Sequence, residues 1–209
     1  NVENLEARFQ TCTGTVLDVE LNTRLMEFLG GSIQIIVRDI TEQKKIQREL
    51  SFMGTHDVLT GLFNRNYFEI EMQRLQNSRL YPISVISVDV DGLKQANDRL
   101  GHAAGDRLLV RTADALRDTF RNEDLVSRWG GDEFSILLPM VDAKGAAAAV
   151  KRLKQRLEII NMDKNEVPVS LSIGLATALW GDLLSDTLKR ADVLMYEEKV
   201  AKKAQPTVL

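Results

Sequence analysis

Arg128-Trp129-Gly130-Gly131-Asp132-Glu133-Phe134 is the stretch on which the fold turns. Its two glycines lie between an apolar approach, Leu125 and Val126, and an alternating run, Phe134, Ile136 and Leu138. That pattern predicts a tight β-hairpin with the turn at Gly130-Gly131, because a two-residue turn of the primed types needs positive φ, which glycine reaches without steric cost. Asp132 and Glu133 then sit beside the tip, where both carboxylates can stay near a ligand lying across bare backbone. By itself a Gly-Gly turn with an acidic flank is more often a solvated hairpin than a site. The surrounding chain changes that balance.

The next glycine-rich stretch is Gly92 to Asp106, read as a polar loop. It follows a nearly continuous apolar run, Ile83, Val85, Ile86, Val88 and Val90, which predicts a strand covered on both faces. Asp89 and Asp91 stand at its C-terminal end, a position where α/β sheets gather ligands and a cation can compensate a buried carboxylate. Within the loop, Asn97 and Asp106 lie nine residues apart across one turn of chain. A carboxylate accepts both donors of a guanine edge and an amide donates to its acceptors, so the pair suits guanine; both residues are equally ordinary as helix caps and turn formers. A helix follows through about Thr119. Upstream, Asp57-Val58-Leu59-Thr60-Gly61-Leu62-Phe63-Asn64-Arg65 leads into a helix over about Arg65 to Gln76 with Asn64 competent to cap it. Downstream, Ala143 to Ile160 reads as a helix, Val167 to Ala178 as a strand carrying Ser172-Ile173-Gly174, and Asp186 to about Lys203 as a closing helix.

Taken together and in this order, the Asp57–Arg65 motif, Asp89-Val90-Asp91-Gly92-Leu93-Lys94-Gln95-Ala96-Asn97-Asp98, Gly101-His102 with Gly105-Asp106, and Gly130-Gly131-Asp132-Glu133-Phe134 resemble the GGDEF-type diguanylate cyclases. The resemblance implies an α/β fold, with a central, mainly antiparallel sheet flanked by helices as in nucleotidyl cyclases and polymerase palms. It implies an enzyme that condenses two GTP into cyclic di-GMP and two pyrophosphates, each subunit of a homodimer presenting one GTP to the other. Carried onto these positions, it makes Asp89, the Val90 carbonyl, Asp132 and Glu133 ligands of Mg²⁺, with Mn²⁺ as an alternative; Glu133 is either a metal ligand or the base at the 3′-hydroxyl. Asn97 and Asp106 would read guanine, Leu93 and Lys94 would line the base and phosphate side, and Gly130 and Gly131 would let the nucleotide approach the backbone. Lys199 would meet phosphate as part of the catalytic set. Arg121 and Asp124 match the family's Arg-x-x-Asp inhibitory product site. The chain departs from the family near its end, where Ala-Lys-x-x-Gly-Arg-Asn is common and this sequence has Glu198-Lys199-Val200-Ala201-Lys202-Lys203-Ala204. Lys203 therefore stands where an arginine would fork onto phosphate, and the two are not equivalent.

Residues 1–40 read as strands, Thr15 to Asn22 and Ser32 to Ile40, with Gly30-Gly31 as the turn between them. The sequence Val37-Arg38-Asp39-Ile40-Thr41-Glu42-Gln43-Lys44-Lys45 resembles the end of a PAS sensor domain. So short a β piece buries too little to stand alone and is expected to pack on something, such as the same piece of a second chain. Residues 41–56 form a linker helix with Thr41 as its cap, ending near Gly54 and Thr55. Its stripe of Ile40, Ile46, Leu50 and Met53 suits either a two-stranded coiled coil between protomers or a face packed on its own domain. The cyclase domain is assigned to residues 57–205. The competing reading is a catalytically silent module that binds GTP or cyclic di-GMP and signals by contact.

The 209 residues carry 44% hydrophobic and 27% charged side chains and a formal charge of −3, which disfavours a nonspecific nucleic-acid binder. Cys12 is the only cysteine, so no internal disulfide forms and a cytoplasmic setting is expected. No run is long and apolar enough to span a membrane; membrane attachment through a longer chain stays open. The absence of an initiating methionine suggests a piece of a larger protein.

Overall fold

The computed structural model describes residues 2–26 and 32–204, so the turn expected at Gly30-Gly31 lies outside the described residues. The chain divides into two compact units, Asn1–Met53 and Gly54–Leu209. Among the described residues no helix is long and apolar enough to cross a membrane.

The first unit is an antiparallel sheet of β1 (Val2–Gln10), β2 (Val16–Met26) and β3 (Ser32–Asp39), with β2 in the centre. Its register sets Leu5 opposite Leu21, Phe9 opposite Leu17 and Leu21 opposite Val37, so one face is apolar. Helix α1 (Thr41–Thr55) follows and ends at Thr55, where the sequence places its end. Thr41 is not a cap in the expected sense. Its hydroxyl accepts from Asp18 N at 2.9 Å, tying the helix start to β2, while Thr41 N donates to Asp39 Oδ1. Along α1, Ile46, Leu50 and Met53 are all exposed.

The second unit holds a five-stranded sheet in the order β4-β6-β7-β5-β8, formed by β4 (Phe63–Asn64), β6 (Leu125–Gly130), β7 (Glu133–Pro139), β5 (Ile83–Val90) and β8 (Leu171–Ala178). Only β4 and β6 are parallel; the other pairings are antiparallel. The sheet is mixed α/β in its surroundings, as expected. β5 is buried along its full length, and its alternate residues serve two cores. Ile86, Val88 and Val90 pack with helices α4 (His102–Thr119) and α5 (Ala143–Ile160), while Ile83 and Val85 pack with α2 (Arg65–Gln76) and α6 (Leu184–Ala204). Asn64 caps α2 as its residue type predicts, its side chain accepting from Tyr67 N at 2.9 Å.

Three expectations are corrected. The stretch after β5 is not a loop. Residues Leu93–Leu100 form α3, entered through Gly92 in the left-handed region (φ 75°) and separated from α4 by Gly101 (φ 83°). Its polar composition disguised an amphipathic helix that buries Ala96 and packs Leu93 on the core. The hairpin turn is Gly131-Asp132, not Gly130-Gly131: Gly130 pairs with Glu133 after a register shift, and Gly131 takes the positive φ of 53°. Finally, β8 begins at Leu171, not at Val167. The backbone ahead of it is taken by side chains: Asn161 both donates to and accepts from Val169 at 2.8 Å, and Arg111 takes the carbonyl of Val167.

Candidate active site

The C-terminal end of β5 and the β6–β7 turn meet at one edge of the sheet. Asp89 pairs across with Glu133, and Val90 N donates to the carbonyl of Asp132 at 2.9 Å, so the turn is stitched to the strand end. Asp89 is 3% exposed. Its Oδ2 accepts from Lys199 Nζ at 2.5 Å, and the same ammonium lies 3.9 Å from Asp132 Oδ2. Its Oδ1 is buried without a hydrogen-bond partner. Burial raises the Asp89 carboxyl above its ordinary pKa, the charges of Asp132 and Asp91 add to the rise, and Lys199 opposes it. Glu133 is raised as well, by burial and then by Asp132, Asp89 and Asp192. Lys199 is held charged: burial works against it, but the Asp89 hydrogen bond and the surrounding carboxylates prevail.

This concentration of negative charge calls for a cation. Among the described residues no three acidic, histidine or cysteine side chains close into a metal cage, so the set Asp89, Val90, Asp132 and Glu133 is not assembled by protein alone. A hard ion with one or two carboxylates and the remaining positions filled by substrate oxygens still fits. The orphaned Oδ1 of Asp89 is the oxygen such an ion would satisfy.

Arg128, given no role from sequence, frames the turn, and Asp91, placed with Asp89 at the strand end from sequence, has partners of its own. Arg128 donates to the carbonyl of Gly131 through Nη2 (2.8 Å) and Nε (3.2 Å), and through Nη1 to both oxygens of Asp57 (3.1 and 3.2 Å). Asp57 also accepts from Thr60 N and Oγ1; these bonds and Arg128 outweigh its burial and keep its pKa below the ordinary value. Asp91 accepts from Ser170 Oγ and Ser172 Oγ, each at 2.7 Å, and from Lys202 Nζ at 3.0 Å, which together override burial and lower its pKa. The Asp57–Arg128 pair and the contacts of Asp91 are revealed only by long-range pairing, their partners lying 71 to 111 residues away.

Asn97 lies in α3 and Asp106 in α4, and Gly105 joins them in space. The Asn97 Oδ1 is buried without a partner, and a Cβ on Gly105 would come within 2.0 Å of it. Glycine therefore holds open the seat of the amide. If Asn97 reads guanine as the resemblance implies, Gly105→Ala is expected to turn its side chain and weaken GTP binding at least tenfold, roughly one lost hydrogen bond to a buried polar group, while the melting temperature changes little. Calorimetric titration with GTP beside a thermal melt checks it; unchanged affinity would remove Asn97 from the site. Asp106 in α4 and Lys94 in α3 are exposed, and Leu93 is half-buried. Lys203 is exposed, whereas Lys202, one residue earlier, reaches the acidic strand end.

Arg121 and Asp124 close a turn of their own: Arg121 N donates to Asp124 Oδ2 at 2.8 Å and Asp124 N to Arg121 O. Both line a cavity of about 540 Å³ with Leu138, Met140, Asp142 and Arg152. That volume is in the range of small-molecule sites. Burial raises the Asp124 carboxyl.

Comparison with known proteins places this geometry. Residues 54–205 match the family model described as the diguanylate cyclase GGDEF domain. Over 193 residues the chain is 33% identical to diguanylate cyclase DgcM of Escherichia coli K12, covering 89% of this chain and 46% of DgcM, so the chain spans about half the length of that relative. The solved GGDEF domain of TpbB from Pseudomonas aeruginosa is 37% identical, with a TM-score of 0.63 over 70% of this chain and 89% of that one. A microbial GGDEF domain solved for its interaction with cyclic di-GMP is 32% identical, with a TM-score of 0.63 over 73% of this chain and 94% of that one. Sequence and overall fold agree, and the chain belongs to the GGDEF diguanylate cyclase family.

Proposed function

We propose that the second unit condenses two GTP into cyclic di-GMP and two pyrophosphates, in a homodimer that brings two nucleotide sites together. The observation that carries the reading is the buried Asp89 carboxylate, with one oxygen orphaned and the other held by Lys199 beside Asp132. Asp89 and Asp132 would hold Mg²⁺, or Mn²⁺ in its place. The ion supplies charge neutralisation at the reacting phosphoryl oxygens when bound. Lys199, already charged and poised between the two acids, delivers a second positive charge to the phosphates. Glu133, whose carboxyl is raised by burial and its acidic neighbours, is suited to take the 3′-hydroxyl proton. Asn97 and Asp106 orient guanine, so that most of the rate comes from placement. The apolar sheet face of the first unit and the exposed Ile46, Leu50 and Met53 of α1 support dimerisation through residues 1–40, the tail of a PAS domain, and the linker 41–56, ahead of the cyclase domain 57–205. Arg121 and Asp124, on a cavity wide enough for a nucleotide, bind the product and inhibit turnover.

Incubation of the chain, freed of bound nucleotide, with GTP and Mg²⁺ is expected to yield cyclic di-GMP, and Asp132→Asn is expected to yield none. Chromatography resolves the products. Binding of GTP or cyclic di-GMP without turnover over a wide protein concentration range would establish a silent binding module instead.

A further inference from the structure

Helix α6 meets strand β5 along a polar seam. Ser87 Oγ donates to Asp192 Oδ1 at 2.5 Å, Lys199 Nζ to Asp89, and Lys202 Nζ to Asp91 at 3.0 Å. On the strand these are alternate residues on one face, spanning about 13 Å at 3.3 Å per residue. On the helix, residues 192, 199 and 202 span about 15 Å at 1.5 Å per residue. The overall spans agree, although the steps do not, about 10.5 and 4.5 Å on the helix against about 6.6 Å each on the strand. The apolar packing beneath fixes the N-terminal part of this seam, where Leu184, Leu188 and Ala191 are buried, whereas beyond the buried Met195 its hold passes to polar contacts.

The last of these pairs is the most elaborate. Asp91 is held by two serine hydroxyls from the start of β8 and its neighbour, Ser170 and Ser172. Lys202 donates to Asp91 and to the carbonyl of Leu171 and lies 3.5 Å from Glu198. Glu198 in turn accepts from Ile173 N at 3.2 Å. Glu198 and Lys202 are the two residues that stand where the family's alanine and glycine are common. Here they bind the final turns of α6 to β8 and to the strand end. Lys199 lies between them, one turn before Lys202, on a long side chain whose reach is only as well defined as the backbone that carries it.

Resting on the cyclase reading above, we propose that Asp91 and Lys202 are positioning residues, which lock the C-terminal turns of α6 onto the sheet so that Lys199 stands on Asp89 and Asp132. Neither touches the reacting groups; both act through Lys199.

The experiment is a mutant cycle of Lys202→Met, Lys199→Met and the double variant, with Lys202→Arg as the conservative replacement. Two readouts are taken: initial rates of cyclic di-GMP formation across GTP concentrations, and calorimetric affinity for a GTP analogue bridged by an uncleavable α,β-methylene group. Lys202→Met is expected to lower kcat about tenfold, within the hundredfold that a misplacement near 1 Å can produce, with KM for GTP within about twofold and the melting temperature nearly unchanged. Lys202→Arg restores most of the rate, and the double variant is no slower and binds the analogue no more weakly than Lys199→Met alone. Additive losses in the double variant, or a Lys202→Met enzyme at wild-type rate, would overturn the inference while leaving the cyclase reading intact. A wild-type chain that binds the analogue but forms no product would instead overturn the cyclase reading and, with it, the positioning role in catalysis.

Discussion

Asp89→Asn is expected to lower cyclic di-GMP formation at least a thousandfold, the scale lost when a charged group of a preorganised phosphoryl site is removed, while making the nucleotide-free fold more stable. The two effects share one cause. Asp89 is buried beside Asp132 and Asp91, with one oxygen unpartnered, so its charge is useful for holding a cation and unfavourable without one. Burial raises its folded-state pKa above the ordinary 3.8, so the cost of the ionised carboxylate is absent below the ordinary value, grows as pH climbs from there toward the raised value and is complete above it. With EDTA present, the variant should therefore melt above the wild type near neutral pH, and the gap should close in acid. Thermal melts from pH 4 to 8 beside product assays check both halves. Retained turnover, or a variant that melts lower at neutral pH, would contradict this account. Such opposition between stability and activity is expected where a site assembles like charges for its ligand.

Gly174→Ala should be the most damaging single methyl group in the second unit. A Cβ there would lie 1.9 Å from Ala191 O and 2.3 Å from Met195 N, both backbone atoms of α6, so no side-chain rotation relieves the clash. The helix must lift from β8, at a cost of about 3 kcal/mol or more by comparison with overpacked cores, corresponding to a fall in melting temperature of roughly 10 °C for a unit of this size. Lys199 and Lys202 ride on the same helix, so turnover should fall beyond what the folded fraction explains. Gly54→Ala is the matched control: a Cβ there meets nothing within 4 Å inside α1, and helix propensity favours the change by about 1 kcal/mol. Differential scanning of both variants decides the matter. A Gly174→Ala protein melting with the wild type would mean that α6 is not held against β8.

Much of this architecture was legible because local chemistry and tertiary need coincide. The apolar run of β5 announces a doubly covered strand, Asn64 is both the expected and the actual cap of α2, and the alternation of Phe134, Ile136 and Leu138 matches the core face of β7. The misplaced features arise where they diverge. Residues 92–106 are polar and glycine-rich, which reads as loop, yet one buried residue, Ala96, and a packed Leu93 suffice to seat a short helix. The glycine pair marked the hairpin but not its register, because the bulge between Arg128 and Gly130 moves the turn by one residue. At the site, individual acids were visible, but the partnership of Asp91 with Lys202 was not: 111 residues separate them, and nothing local distinguishes Lys202 from a lysine closing a helix end.

The Arg128 clamp has a mechanical consequence. α1 ends at Thr55, and Asp57, two residues later, is bound through Arg128 to the carbonyl of Gly131, next to Asp132. Two residues of extended chain supply at most about 7 Å of slack. The last turn of the helix is thus leashed to the acidic corner. A displacement of the helix end that exceeds this reach must either rupture the Asp57–Arg128 pair or move the acidic corner with it.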